Sequence, residues 1–366
     1  MAIKVAHITT AHDRADIRIF LKECLSLADR YEVHLIVADG LGDATVRNVQ
    51  IHDAGIARGR FQRMLVLPWR IWLLARRLGA RLYHLHEPEL LLIALFLQIS
   101  KARVVYDSHE DVPRAIMSRD WIRPSLRRIV SAVFERFENF VAGRISAVIG
   151  ATPHIAKRFA SVNKKSVAIN NYPLASEMAS SVVPSGDDRT VCYIGGISRN
   201  RGIFEMVRAL EFVDARLILA GPFDVGDLQN EVRMLPGWAR VDYRGVVSRE
   251  EVRRIMAESR AGLLFFHPEP NHVDAQPNKL FEYMSAGLPV LASDFPLWRM
   301  LLEEAATGRQ ADPLDPAAIA SVIRETLDNP SDAKAMGDRG RQAVVTQYQW
   351  SHEERKLLGL YKDLLA

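Results

Sequence analysis

Apolar positions along the chain fall into short continuous runs, separated by longer stretches in which they recur at helical spacing. Residues 3–9 form the first run, and further strands are predicted over 33–37, 82–85, 104–106, 147–149 and 167–169. Strands that read as continuous apolar runs and alternate with helices imply a parallel sheet covered on both faces. The first intervening helix is predicted over 17–27, capped by Asp16, with Ile17, Phe20, Leu21, Cys24, Leu25 and Leu27 facing inward. Around Asn171-Tyr172-Pro173 the alternation stops, and the cluster Pro184-Ser185-Gly186-Asp187-Asp188 closes a segment read as a linker over 173–188. Strands then resume over 191–194, 217–220, 241–243, 262–265 and 290–292, and a helical tail runs on from Asp315. The expectation is an α/β chain of two Rossmann-like domains, 1–172 and 189–346, with the site in the cleft onto which both sheets open.

Length and composition agree with this picture. A chain of 366 residues with 48% hydrophobic content can build two cores, and single cores rarely grow past roughly 250–300 residues. The two cysteines, Cys24 and Cys192, lie far apart with no metal-ligand spacing around either, which suits a reducing compartment. The opening residues lack a signal-peptide pattern, and no apolar run reaches the roughly 20 residues that span a bilayer. A cytoplasmic protein is therefore expected. The net charge of +4 does not by itself point to nucleic acid, and no recognition motif for it is present.

The charge distribution is more informative. Arg58, Arg60, Arg63, Arg70, Arg76, Arg77 and Arg81 follow one another with no acid between them. Phe61, Met64, Leu65, Trp69, Ile71, Trp72 and Leu73 are interleaved with them. This composition suits peripheral contact with anionic lipid, and equally a core-packed helix with a solvated basic face. A second basic stretch surrounds Trp121.

Two segments of the second half carry candidate chemistry. Val191-Cys192-Tyr193-Ile194-Gly195-Gly196-Ile197-Ser198-Arg199-Asn200-Arg201-Gly202 reads as strand, glycine turn, basic loop and helix start. Glycines let a backbone approach a ligand, and a helix N-terminus with nearby arginines suits a diphosphate. The dinucleotide spacing Gly-x-Gly-x-x-Gly is absent. The second segment runs from Asp274 to Val290. It holds a short helix with Asn278 as the expected N-cap and Gly287 as its stop. Leu280, Phe281 and Met284 should face the core while Lys279 and Glu282 point elsewhere. A carboxylate there can accept two hydroxyls of a sugar diol, or it can be a solvated partner of Lys279.

This second segment resembles the signature of family 4 of the glycosyltransferases, which have the GT-B fold. Phe281-Glu282-Tyr283-Met284-Ser285-Ala286-Gly287-Leu288-Pro289-Val290 matches the family's run closely, and seven residues separate Asp274 from Glu282 as in its acid pair. The first acid is Asp where Glu is usual, and Arg201 stands where Lys is commoner. The segments 7–12 and 16–23, His84-Leu85-His86-Glu87-Pro88, Val105-Tyr106-Asp107-Ser108-His109-Glu110 and Tyr348-Gln349-Trp350-Ser351 resemble further motifs of bacterial polysaccharide-type members. The last implies a C-terminal helix, 347–366, that crosses back to the first domain.

The resemblance implies a retaining glycosyltransferase that moves a hexosyl group from a UDP- or GDP-linked sugar to a hydroxyl of a lipid-linked or polysaccharide acceptor. Glu282 should bind the nucleotide ribose, and Asp274 the sugar hydroxyls. Arg201 and Lys279, with Arg199, should neutralise the diphosphate over Gly195 and Gly196. His109 should sit near the reacting sugar, with His12, Asp16 and His86 on the acceptor side. Fixed cations at the leaving group can replace a metal, and no ligand cluster is evident from spacing, so metal independence is expected. Two other readings stay open. One is a catalytically degenerate GT-B protein acting as a partner or scaffold, supported by the Asp at 274. The other is a GT-B nucleotide-sugar epimerase, against which the acid spacing argues.

Overall fold

A computed structural model describes residues 2–99, 101–119, 121–174, 189–224 and 226–366. The expected linker, 173–188, lies almost wholly outside the described residues. The chain divides into two units, residues 1–171 with 350–366, and residues 172–349.

The first unit is built on an eight-stranded sheet. Its strands are β1 (Lys4–Ile8), β2 (Glu32–Val37), β3 (Ala44–Val46), β4 (Val49–Asp53), β5 (Leu82–Leu85), β6 (Arg103–Ser108), β7 (Ala147–Gly150) and β8 (Ser166–Ala168), in the order β3-β4-β2-β1-β5-β6-β7-β8. All neighbours are parallel except β3 and β4, an antiparallel hairpin at the edge. The apolar pattern does not reveal this hairpin because its strands are short, three and five residues, and apolar at only half of their positions. Its signature is the two-residue turn, Arg47 and Asn48, both with positive φ (49° and 66°), which turns tightly with the hand of the strands.

Asp16 caps the first helix through a 2.9 Å bond from the Ile19 amide, as expected. The helix itself differs. From Ile17 to Cys24 it winds wider than an α-helix, and the Leu21 amide reaches back to the Asp16 carbonyl, five residues earlier, at 3.2 Å. This winding turns Arg18, Lys22 and Glu23 inward with Phe20 and Cys24, and leaves Ile17, Leu21 and Leu25 only half-buried. The charges are accommodated because they are paired: Arg18 makes two 2.9 Å bonds to the Asp107 carboxylate, and Lys22 donates to Asn171 at 2.7 Å. The helix Trp350–Leu365 completes this unit. Trp350 Nε1 donates to Ser26 at 3.0 Å, and Tyr361 is fully buried against β1 and β5.

The second unit carries β9 (Thr190–Ile194), β10 (Arg216–Ala220), β11 (Val241–Gly245), β12 (Ala261–Leu264), β13 (Val290–Ser293) and β14 (Gly308–Ala311). Their order is β11-β10-β9-β12-β13-β14, and every pair is parallel. Chain direction across this sheet reverses between β9 and β12. In the first sheet it reverses between β1 and β5. Loops leaving the strand ends at such a reversal diverge and open a crevice, the usual ligand position in open α/β sheets.

Candidate active site

At the reversal of the second sheet, the chain leaves β9 through Gly195 and Gly196. Gly195 has φ of +121°, and a Cβ there would sit 2.4 Å from the Lys279 side chain; a Cβ at Gly196 would sit 2.5 Å from Arg201. The sequence reading assigns this space to a ligand. In the structure the two cations themselves take it. Arg201 Nη1 donates to the Gly196 carbonyl at 3.0 Å, and Lys279 Nζ to the Tyr193 hydroxyl at 2.9 Å. Tyr193 in turn donates to the Gly196 carbonyl at 2.8 Å, so the turn is braced from below. Both cations lie over the ring of Phe266, at 5.7 and 5.1 Å, just beyond the end of β12.

Burial and the nearby Arg201 charge push the Lys279 ammonium well below its ordinary pKa. Among the described residues neither Arg201 nor Lys279 forms an ion pair. Two cations facing one space, with Glu282 the carboxylate felt by Lys279, suit an anion with two charged groups. Arg199 behaves differently. It turns to Glu231 at 2.5 Å and stacks on Phe204, so it is engaged elsewhere on the surface. Gly202 adopts φ of +72° against the Phe265 carbonyl and separates the Arg199–Arg201 turn from the helix Ile203–Ala209. The helix therefore starts at Ile203, directly after the basic loop, as read from the sequence.

The helix Asn278–Ala286 has Pro277 as its cap residue, with Asn278 already the first helical position, a correction of one residue. Pro277 holds extended backbone there (φ −67°, ψ 134°), which fixes the entry angle without a side-chain cap. Gly287 closes the helix in the left-handed conformation, φ +76°, as read from the sequence. Leu280, Phe281, Tyr283 and Met284 are buried, and Lys279 and Glu282 project from the other side. The Glu282 carboxylate lies 3.7 Å from Arg249. Asp274 sits exposed in the preceding loop, which Trp298 anchors by a 2.7 Å bond from its indole to the Ala275 carbonyl. His267 bonds Glu205 at 3.0 Å, and His272 faces the Phe266 ring.

In the first unit the sequence-predicted acceptor-side residues gather at the equivalent reversal. His12 Nδ1 lies 2.9 Å from Asp16, and its ring is 5.3 Å from that of His109. His109 Nε2 lies 3.1 Å from Asp107 and 3.2 Å from His86 Nδ1. Burial pushes the His86 imidazole down to about 4, so it is neutral near pH 7. Burial opposes the charge of Asp107, but the Arg18 guanidinium and His109 hold its carboxyl well below the usual range. Glu87 ties the loop after β1 to the loop after β5, accepting from the Thr9 hydroxyl and, at 2.9 Å, from the Thr10 amide.

Sequence reasoning assigned no role to Glu87, Asp107, Arg18, Glu23, His7, His84 or Tyr361. It also found no ligand cluster, because spacing along the chain cannot show one assembled from different strands. The structure brings His7, Glu23, His84 and His86 together, and beside them His86, Asp107 and His109. One signal was available: His84 and His86, two residues apart at the end of a strand, fall on one face of extended chain.

The arrangement defines a class first. With two Rossmann-like α/β units, the chain has the GT-B fold. Family models match both parts, the "Glycosyl transferase 4-like domain" over residues 19–167 and the "Glycosyl transferase-like" model over residues 199–359. Among particular proteins, the chain is 22% identical over 325 residues to a phosphatidyl-myo-inositol mannosyltransferase of Mycobacterium leprae, covering 86% of this chain and 81% of that one. It superposes on sucrose-phosphate synthase from Thermosynechococcus elongatus with a TM-score of 0.80 at 18% identity, covering 99% of both chains. It also superposes on HepE of Anabaena, solved in complex with UDP, with a TM-score of 0.73 at 15% identity, over 99% of this chain and 100% of that one.

Proposed function

We propose that the protein is a retaining, metal-independent glycosyltransferase of the family 4 type. It moves a hexosyl group from a nucleotide-diphosphate sugar to a hydroxyl of a lipid-linked or polysaccharide acceptor. The observation that carries this reading is the pair Lys279 and Arg201, held without an ion-pair partner among the described residues over the Gly195-Gly196 turn at the sheet reversal. A diphosphate supplies the missing charge. Negative charge grows on that diphosphate as the glycosidic C–O bond breaks, so the two cations stabilise the transition state more than the ground state. Glu282 accepts the ribose hydroxyls, with Arg249 holding its carboxylate in place. Asp274 contacts the sugar. His109, oriented by Asp107, is the hydrogen-bond or acid/base group toward the reacting sugar. Arg199, turned to Glu231, has a smaller part in donor binding than the other two cations. The mannosyltransferase and UDP-complex relatives support a nucleotide-sugar donor.

The acceptor reading places the protein on the inner face of a membrane. The helix Leu67–Leu78 buries Leu67, Ile71 and Ala75 and exposes Trp69 and Leu73 beside Arg70 and Arg77. The neighbouring helix Leu91–Ile99 exposes Leu92, Phe96 and Ile99, and Trp69 and Phe96 meet at 5.4 Å. Exposed aromatics among arginines suit an anionic interface.

Titration calorimetry and nucleotide-release assays with a panel of UDP- and GDP-hexoses test the function. Micromolar binding of a donor, with slow hydrolysis or transfer, is expected. No binding of any member would overturn the reading and favour a non-enzymatic role.

A further inference from the structure

The first unit contains a group of buried polar side chains of which only His86 borders the acceptor-side residues, at 3.2 Å from His109. We propose that His7, Glu23, His84 and His86 form a structural binding site for a divalent transition metal, best suited to zinc(II). His84 lies on β5 and His86 directly past its end, two residues on, and His7 is the register partner of His84 on β1. Glu23 is delivered beside these histidines by the wide winding of the Ile17–Cys24 helix. All four are fully or almost fully buried, and one ligand atom from each lies within 4.8 Å of the others.

The individual separations fit a small tetrahedral ion. His7 Nδ1 is 3.0 Å from His86 Nε2 and 3.6 Å from Glu23 Oε2. Glu23 Oε2 is 3.8 Å from His86 Nε2 and 4.0 Å from His84 Nε2. Zinc bonds of about 2.0–2.1 Å set tetrahedral ligand–ligand separations near 3.3–3.4 Å, which these values straddle. Contraction mainly on the His84 side, where the Glu23 separation is 4.0 Å, closes the site. Three imidazoles and one carboxylate are a borderline nitrogen and oxygen set that favours zinc over magnesium or calcium.

Two further observations point to an ion. His84 Nε2 is buried without a hydrogen-bond partner, 4.0 Å from Glu23 Oε2. Native interiors rarely leave such atoms unsatisfied. The groups behind the ligands are also in place. The outward nitrogens of His7 and His84 lie 3.0 and 2.8 Å from the Tyr361 hydroxyl, and that of His86 lies 3.5 Å from Asp107. Arg18 Nε lies 3.1 Å from the other Glu23 oxygen, Oε1. Metal-bound histidines commonly donate their second ring N–H to such acceptors, which fixes ring orientation. The ion would tie β1, β5 and the first helix together beneath the loops that carry His12 and His109.

The test uses the full chain, with any purification tag removed. Zinc content is measured by mass spectrometry after growth with added zinc, and the chelator-stripped protein is titrated with cobalt(II). Stoichiometric zinc retained through gel filtration is expected. So are a cobalt absorption of tetrahedral intensity that saturates at one equivalent and a Tm that rises with zinc concentration. Glu23→Gln and His84→Ala should each lose the cobalt band, whereas His34→Ala with His52→Ala, which removes a separate histidine pair, should keep it. Wild-type protein without stoichiometric metal or a cobalt band overturns the proposal, whatever the variants do. So does metal lost with His34 and His52 instead of His84.

Discussion

The Lys279 ammonium donates to the Tyr193 hydroxyl across 2.9 Å and lies 4.3 Å above the same ring. The lysine is thus held by a neutral partner, next to a second cation and away from any carboxylate within ion-pair distance. Its pKa is lowered by burial first and by Arg201 second. An arriving diphosphate adds opposite charge that outweighs both effects, so the complex holds the proton more tightly than the unliganded protein. Donor binding should therefore take up protons, and affinity should fall as pH rises through the unliganded Lys279 value. Calorimetry of UDP or GDP binding in buffers of different ionisation enthalpy reads this directly. Lys279→Met should weaken binding by about 10- to 100-fold, from roughly 1.5–3 kcal/mol per charged hydrogen bond, and remove the proton uptake. Uptake that persists in the variant would assign it to another group.

The two acids of the second unit are unequal. Glu282 projects from a well-fixed helix beside Arg249, whereas Asp274 lies exposed in a loop. Glu282→Ala should abolish donor binding in the same calorimetric assay. Asp274→Glu should keep or raise turnover, because the added methylene extends the reach toward the sugar. Full turnover by Asp274→Ala would remove that carboxylate from the site.

Asp16 both caps its helix and pairs with His12. The bond to Asp16 raises His12, so that contribution is complete below the unfolded value of 6.5 and is lost as pH climbs through the folded one. Burial alone would raise Asp16, but His12 and the Ile19 amide lower it, so its contribution is present above 3.8 and is lost as pH falls through the folded value. The pair should stabilise most between about pH 4 and 6.5. Asn can keep the cap and lose the charge, so Asp16→Asn should cost about 0.2–1 kcal/mol in that window. The Tm difference between wild type and variant, followed with pH, should shrink above the window. A difference that does not vary with pH would show that the cap alone matters.

The exposed Trp69 and Phe96, among arginines, should bring the protein down with anionic vesicles at low salt and less so as salt rises. Trp69→Ala with Phe96→Ala should lower the sedimented fraction several-fold. Equal recovery with neutral and anionic vesicles would leave the patch without a membrane role.

Much of this architecture was legible in the sequence because parallel strands buried on both faces carry their own signal. Val191 to Ile194 and Val290 to Ala292 are apolar throughout, and such runs have few alternatives. Gly287 was legible for a related reason, since a helix stop needs a left-handed residue. The β3–β4 hairpin was not, because its strands are short and mix apolar with polar residues. The inward turn of Arg18 and Glu23 was also hidden. It depends on a wider helical winding and on Asp107, 89 residues from Arg18, to receive the charge. The histidine cluster needs the register of β1 against β5, which no local pattern encodes. Arg199 and Arg201 look alike in sequence, and only the position of Glu231 separates them.

The helix Trp350–Leu365 has a consequence for how the chain is made. It packs with the first unit, yet the ribosome reaches it only after the whole second unit has been synthesised. Until then Ser26 lacks Trp350, and the rings of His7 and His84 lack the Tyr361 hydroxyl between them. The first domain to be translated is therefore the last to be finished. During synthesis it waits with an open seam along β1, β5 and the first helix.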